Sequence, residues 1–414
     1  MKKNVLMLGT FDTKGGEFTF LQSELTRHGL NVISLNAGTM KSAVPFAVDI
    51  DPDTVATYGG QSIDSLRENA DRGVAVAVMG QGAKAIVKKL YVDGKISGII
   101  GMGGGGGTSI ATTAMSALPI GVPKICISTL ASGDTRPYIG SKDILLFPSI
   151  VDISGINSFS KKIISNAAAA LAGMVKNEMP DCHATQSKKA ILLSMFGNTT
   201  AAGTACSKLL SQAGYDTLVF HAVGTGGQSL EALTLDGYSS GVLDLTTTEW
   251  ADELCGGIFP AGRSRLDAPG KKGIPHLIAP GCLDMVNFGP PDTIPPQYKN
   301  SNRVFFQWAP EAVLMRTNAE ENAKMGRIFA EKANQAPGTT AFLIPVGGFS
   351  ELGREGGVFR NPSADKAFLD ALQENLNPEI PVETIACNIN DAAFSEKAVA
   401  MLLKLIETTN IHAI

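Results

Sequence analysis

The sequence predicts an α/β protein made of two doubly wound, Rossmann-like subdomains with mostly parallel sheets. Short apolar runs of strand length alternate with amphipathic helical stretches, the alternation restarts after a polar break at 176–189, and the apolar runs end in loops of Gly, Thr and Asp. The first cycle opens with the strand NVLMLG (4–9), a helical pattern at 17–28 and the strand NVISL (31–35), which make a βαβ unit. A segment at 73–78 fits either a strand or a helix start. Further strands are expected at 96–100 and 124–129 with a helix at 108–117 between them, and an Ala-rich helix at 158–175 closes the cycle. The Pro-containing stretch KNEMPDCHATQSKK separates a nucleotide-binding domain at 1–182 from a second α/β domain at 183–414.

The second cycle runs through strands at 190–196, 217–220 and 242–245, with helices at 202–213 and 229–235. Its opening, ILLSMFGNTTAAGTACSKLLSQAGYDTLVFHAVG, follows the same strand, loop, helix, strand course as the start of the chain. From Cys255 to Pro296 the composition turns to Gly and Pro, which predicts long ordered loops of the kind that often form a site. Regular structure resumes with strands at 303–307, 340–345 and 383–386 and helices at 319–334, 363–374 and 391–408.

Composition narrows the function classes. A charged fraction of 18% points to surface hidden inside sheets or between subunits, and a net charge of −4 without long basic runs argues against a nucleic-acid or membrane partner. The six cysteines are scattered with no CxxC, the early apolar run is too short for a signal peptide, and no stretch reaches a membrane span, so a cytoplasmic protein is expected.

Chemistry is concentrated where strands end. The stretch IIGMGGGGGTS (99–109) is a strand, five glycines (Gly103, Gly104, Gly105, Gly106, Gly107) and a helix expected to begin at Thr108 or Ser109. Bare amides before a helix N-terminus receive an anion, whereas the alternative role of such glycines is tight strand-to-helix packing. Gly101, Gly103 and Gly106 also satisfy G-x-G-x-x-G, but the acid expected about 20 residues on is replaced by Cys126, which disfavours NAD. No Walker A lysine motif is present. The first strand ends in GTFDTK, where Thr10, Thr13, Lys14 and Asp12 could hold phosphate and metal or simply cap the next helix. A third loop carries Ser132, Gly133 and Asp134, and strand ends on one edge of a parallel sheet can share a crevice.

In the second half, His221 follows a strand and precedes a glycine loop, a position open to a catalytic imidazole or to a structural one; Thr247 and Glu249 lie at another strand end, Glu249 as a possible orienter. Asp284, Asn287, Arg263, Arg265 and Arg316 are further polar candidates. The match of GYSSG (237–241) to G-x-S-x-G precedes a strand, contrary to a nucleophile elbow, and the histidines are too dispersed for a local metal site.

The blocks GTFDTKGGE, GMGGGGGT, AMSALPIGVPK, ASGDTRPYIGSKDI, VFHAVGTGGQSLE, VLDLTTTEWADEL, GCLDMVNFGP and LMRT together resemble the family of the N-terminal domain of the tomato mosaic virus resistance protein and its bacterial relatives, over essentially the whole chain. The resemblance implies two α/β subdomains, binding of ATP with Mg²⁺, and a homodimer. It assigns nucleotide contacts to Thr10, Asp12, Thr13, Lys14, the glycines 103–107, Thr108 and the turn at Ser132, Gly133 and Asp134. The sequence departs from the family at QWAP (307–310) and ELGREGG (351–357). The function expected is an ATP-dependent transferase, ligase or hydrolase acting on a small anionic substrate in the crevice between domains near His221, Thr225 and Thr247; the alternative is a nucleotide-sensing or protein-binding module without turnover.

Overall fold

The computed structural model describes residues 3–42, 44–177, 190–299 and 301–411. The chain divides into two compact units, 1–185 and 186–414. The domain border expected between residues 182 and 183 lies outside the described residues.

The first unit carries strands β1 (Asn4–Gly9), β2 (Asn31–Asn36), β3 (Ile99–Gly103), β4 (Lys124–Ser128) and β5 (Leu145–Pro148) in one sheet of order β2-β1-β3-β4-β5. Every pairing is parallel. A parallel sheet is buried on both faces, which explains the unbroken apolar runs. Within β1, Leu6 and Leu8 join a core with Val55, Met79, Ile110 and Met115. Val5 and Met7 turn to the other face, against Phe18, Leu21, Ile164 and Leu171. The strand order reverses at β1, where the chain crosses first to β2 and later to β3. Ligands of open α/β sheets bind outside the carboxyl ends of the strands at such a reversal.

The ambiguous segment at 73–78 belongs to a long helix, Arg72–Val92, whose N-cap Asp71 accepts hydrogen bonds from the amides of Gly73 at 2.8 Å and Val74 at 3.1 Å. Its glycines blurred the pattern, and one has a packing reason. A Cβ on Gly82 would lie 1.9 Å from the Val55 carbonyl oxygen, so the helix Pro52–Tyr58 can approach only a bare backbone. That helix, the helix Ile63–Asn69 and β5 are short elements that the sequence pattern did not mark.

The second unit contains β6 (Ala190–Met195), β7 (Asp216–His221), β8 (Gly241–Thr246), β9 (His276–Gly281), β10 (Met285–Phe288), β11 (Phe305–Ala309), β12 (Ala312–Arg316), β13 (Thr340–Pro345) and β14 (Val382–Ile385). Six form a sheet of order β14-β13-β9-β8-β6-β7, all parallel. The remaining three form an antiparallel sheet of order β10-β12-β11. Counted from its own first strand, the larger sheet starts 2-1-3-4-5, the order of the first unit. The similarity of the two openings in sequence thus corresponds to one topology used twice.

The Gly- and Pro-rich stretch 255–296 is not a set of loops throughout. It contains β9, a central strand between β8 and β13 that is buried along its whole length, as well as β10. Pro280 obscures the strand, because proline cannot donate to a ladder. The pairing register between β8 and β9 shifts between Asp244 and Thr246, next to that proline.

Replacing Gly82 by Ala should lower the urea midpoint of the first unit by the equivalent of about 1–3 kcal/mol, since the added methyl has no room. In the same assay Gly16→Ala, at an open helical position with nothing within 4 Å, should be neutral or stabilising by about 0.5–1 kcal/mol.

Candidate functional site

The glycine run bends β3 directly into a helix, Gly105–Met115, with Gly104 as N-cap. The helix therefore begins three residues earlier than expected, and Gly105, Gly106 and Gly107 form its first turn. No side chain caps this end and its first turn holds no acidic residue. The first amides of a helix have no partner within it, so these N–H groups face outward with the positive end of the dipole.

Steric space separates two kinds of glycine in the run. A Cβ on Gly101 would lie 2.6 Å from the Ala111 Cβ, and one on Gly103 would lie 2.6 Å from the Gly107 Cα. Those two are required by the fold. At Gly104 and Gly105 the nearest atoms would stand 3.7 and 4.0 Å away, so packing does not demand glycine there. Both glycines nevertheless line the adjoining cleft.

That cleft has a volume of about 670 Å³ and is lined by Gly104–Gly107, by Thr10, Asp12, Thr13 and Lys14 after β1, and by Gly38 to Met40 after β2. The Asn36 side chain fixes these loops, accepting from the amides of Phe11 at 3.0 Å and Gly38 at 2.9 Å. Asp12 lies against bare Gly38, and its Oδ2 accepts from the Met40 amide at 2.9 Å. Its Oδ1 is buried without a partner. Lys14 donates one hydrogen bond to the Ile153 carbonyl, which leaves two of its three protons free.

Arg67, Asp71, Arg72 and Asp152 also line the cleft and were missed in the sequence. Arg67 is engaged, with Nε donating to the Thr39 carbonyl at 2.7 Å and Nη1 to Asp64 at 3.1 Å. Asp71 is occupied as an N-cap. Arg72 has no ion pair among the described residues, and its Nη2 stands 3.8 Å from where a Gly106 Cβ would be. The DR pair at 71–72 is the signal that could have found it, as a cap followed by a first-turn residue, had the segment been read as a helix.

Other residues expected at this site lie elsewhere. Gly103 and Thr108 are buried behind the turn, the Thr108 hydroxyl within 3.1 Å of the Gly103 carbonyl and 2.7 Å of the Ser128 hydroxyl. Ser132, Gly133 and Asp134 do not line the cleft, and Asp134 forms an exposed pair with Arg136 at 2.9 Å.

In the second unit the expected catalytic group separates. His221 is the exposed last residue of the edge strand β7, and its ring stacks on Phe196 with centroids 5.3 Å apart. Thr247 is fully buried, with its hydroxyl donating to the Ala279 carbonyl at 3.0 Å. Glu249 accepts from the amides of Gly224 and Gly227 at 2.8 and 3.0 Å and from Arg265 Nε at 2.7 Å, so it orients the turn after β7 instead of the imidazole.

Arg265 is 1% exposed and holds three carboxylates: Asp244, Glu249 and Glu231. His276 adds a 2.8 Å contact to Asp244. Burial pushes Glu231 and Glu249 up while Arg265 pulls them down. Burial would likewise raise Asp244, but the guanidinium and His276 hold it far below the usual carboxylate range. This cluster ties the helix Thr225–Leu235, β8 and the 262–268 turn together, which is a structural duty.

The remaining candidates have partners within the protein or face solvent. Asn287 bonds Asp252, Arg316 pairs with Asp365, and the Arg263 side chain is 94% exposed. Asp284 accepts from the Ser350 hydroxyl at 2.6 Å, and burial pushes its carboxyl up to about 6.

Replacing Arg265 by Leu leaves buried carboxylates without a cation, a change that typically costs about 3–5 kcal/mol. Differential scanning calorimetry should show the second unit melting earlier and the first unit unchanged; an unaltered second transition would contradict the structural role given to Glu249.

Comparison with known proteins adds a lineage. Residues 188–406 match the C-terminal domain, and residues 3–180 the N-terminal domain, of the uncharacterised protein family UPF0261. A UPF0261 protein of Clostridium tetani is 47% identical over 98% of this chain and 99% of its own length. The ToMV resistance protein Tm-1(GCR237) of Solanum lycopersicum is 40% identical over 97% of this chain and 55% of the tomato protein. Among solved structures, one of UDP-N-acetylglucosamine 2-epimerase aligns over 98% of this chain and 96% of its own at 11% identity, with a TM-score of 0.22, at which the likeness carries no argument. No helix among the described residues is long and apolar enough to cross a membrane. Matched in both halves by the family's two domains, the chain belongs to the UPF0261 family.

Proposed function

We propose that the cleft of the first unit binds ATP with Mg²⁺, its phosphates on the amides of Gly105, Gly106 and Gly107. The observation that carries this reading is the uncapped helix start combined with two glycines that packing does not require. Anions at such a terminus gain from both free N–H groups and the dipole. Lys14 and Arg72 would add neutralising charge on either side, while Leu66, Val76, Met79 and Ile110 offer an apolar wall for a base. A cleft of about 670 Å³ is within the range of small-molecule sites.

Magnesium fits the donor set in a limited way. Among the described residues no cluster of three His, Cys, Asp or Glu side chains is placed to hold a metal. Mg²⁺ is commonly held by one or two carboxylates together with phosphate oxygens, and the partnerless Asp12 Oδ1 is a hard oxygen donor on the cleft wall. The ion would neutralise phosphate charge there. Positioning and charge neutralisation are most of what phosphoryl or adenylyl transfer needs from a protein.

On this reading the protein is an ATP-dependent transferase, ligase or hydrolase for a small anionic substrate, working as a cytoplasmic homodimer. The second reading, a nucleotide sensor or protein-binding module without turnover, is favoured by one feature: among the described residues no His, Cys or Ser lines the cleft. Release of ADP, AMP or phosphate over hours, with small carboxylates present, separates the two.

Calorimetric titration with ATP and MgCl₂ should give saturable heat that EDTA weakens. Gly106→Val, whose Cβ would stand 3.2 Å from Val76 and 3.8 Å from Arg72 on the cleft wall, should reduce affinity at least tenfold. Arg72→Ala should cost about 1.5–3 kcal/mol of binding, the range of a charge-assisted hydrogen bond. The absence of both heat and a thermal shift with Mg·ATP would reject the proposal.

A further inference from the structure

The second unit has a cavity of its own, about 280 Å³, beside the carboxyl ends of β6 and β7. Four aromatic side chains, Phe196, Phe259, Phe288 and Trp308, form much of its wall. Phe196 meets Phe259 edge-on at 6.4 Å, and the Trp308 ring lies 3.9 Å from where a Gly197 Cβ would stand. Trp308 is 54% exposed at the mouth, an unusual place for the largest apolar side chain in the absence of something to cover it.

The polar side chains of the wall are Asn198, His221, Asn287 and Glu311, and Asn287 is already bonded to Thr248 and Asp252. Asn198 is 3% exposed, and its Oδ1 is buried with no hydrogen-bond partner. Its Nδ2 donates to the Met285 sulfur at 3.7 Å, which leaves the acceptor Oδ1 as the unpartnered end. An unsatisfied buried polar atom costs about 1–3 kcal/mol, which a ligand donor would recover. Glu311 lines the same cavity without an ion pair among the described residues, and the His221 ring closes another side. No lysine or arginine takes part.

We infer that this cavity binds a planar aromatic ring of neutral or positive charge that presents N–H donors to Asn198 and Glu311. Aromatic faces attract cations and repel anions, and Glu311 adds a charge of the same preference. A volume of about 280 Å³ is at the small end for ligand sites and suits one or two fused rings. The anionic substrate expected beside His221 from the sequence would meet no lysine or arginine in this cavity. This site lies wholly within the second unit and does not depend on the nucleotide reading of the first.

The test uses two probes of one shape and opposite charge, benzamidine and benzoate, titrated into the full-length chain. The protein has two tryptophans, and Trp250 is buried in the core, so the indole N–H resonance of Trp308 reports the cavity directly. Benzamidine should shift the Trp308 signal saturably and leave that of Trp250 in place, with benzoate at least tenfold weaker. Trp308→Ala should weaken benzamidine binding, measured by calorimetry, at least tenfold. Glu311→Gln, an exposed and conservative change, should shrink the preference for benzamidine over benzoate; Asn198→Leu should weaken benzamidine at least fivefold. Benzoate binding as tightly as benzamidine, a silent Trp308 with both probes, or unchanged affinity in Trp308→Ala would overturn the inference.

Discussion

The start of the helix Gly105–Met115 leaves several main-chain N–H groups without a protein partner, and the rest of the first unit is arranged around that fact. Backbone donors rarely go unsatisfied, so an end with neither a side-chain cap nor an acidic first-turn residue must face water or a ligand. The reversal of strand order at β1 places this end beside the loops that follow β1 and β2. Asn36 and Asp12 then stitch those loops together through main-chain amides, which gives the cleft a fixed wall opposite the glycines.

The second unit repeats the topology and uses its strand ends differently. Where the first unit leaves amides open after its third strand, the second unit fills the glycine turn after its second strand with side chains: Glu249 takes the amides of Gly224 and Gly227, and Arg265 neutralises Glu249 in turn. A glycine-rich turn after a strand is thus occupied internally by a carboxylate. The same local chemistry that would receive a phosphate in one half is satisfied by the protein's own anion in the other.

Much of this was legible before any coordinates. Apolar runs buried on both faces marked β1, β3, β4, β6, β8 and β13, because parallel strands do not alternate. The glycine run and the GTFDTK loop were brought to one cleft as their positions at strand ends implied. What escaped notice did so for identifiable reasons. Pro280 hid a central strand, glycines hid the helix that carries Arg72, and short elements such as β5 gave too little period to read. Glu249 and Thr247 looked functional because a polar residue at a strand end has the same sequence signature whether it faces a ligand or a buried arginine. For Glu249 the distinction lies in Arg265, 16 residues on and inside a Gly- and Pro-rich stretch, and for Thr247 in the Ala279 carbonyl. The cavity beside Asn198 was not legible as one site, although His221, Asn287 and the QWAP stretch had each stood out, because its wall is assembled from five separate segments.

The central claim, that the open glycine amides are a polyphosphate seat, is tested most directly by a crystal structure of the protein grown with magnesium and a non-hydrolysable ATP analogue. The account predicts phosphate oxygens within about 2.7–3.2 Å of the amide nitrogens of Gly105 to Gly107, with Arg72 turned toward them. A nucleotide bound with its phosphates away from that turn, or a glycine turn contacted only by solvent at saturating analogue, would contradict it.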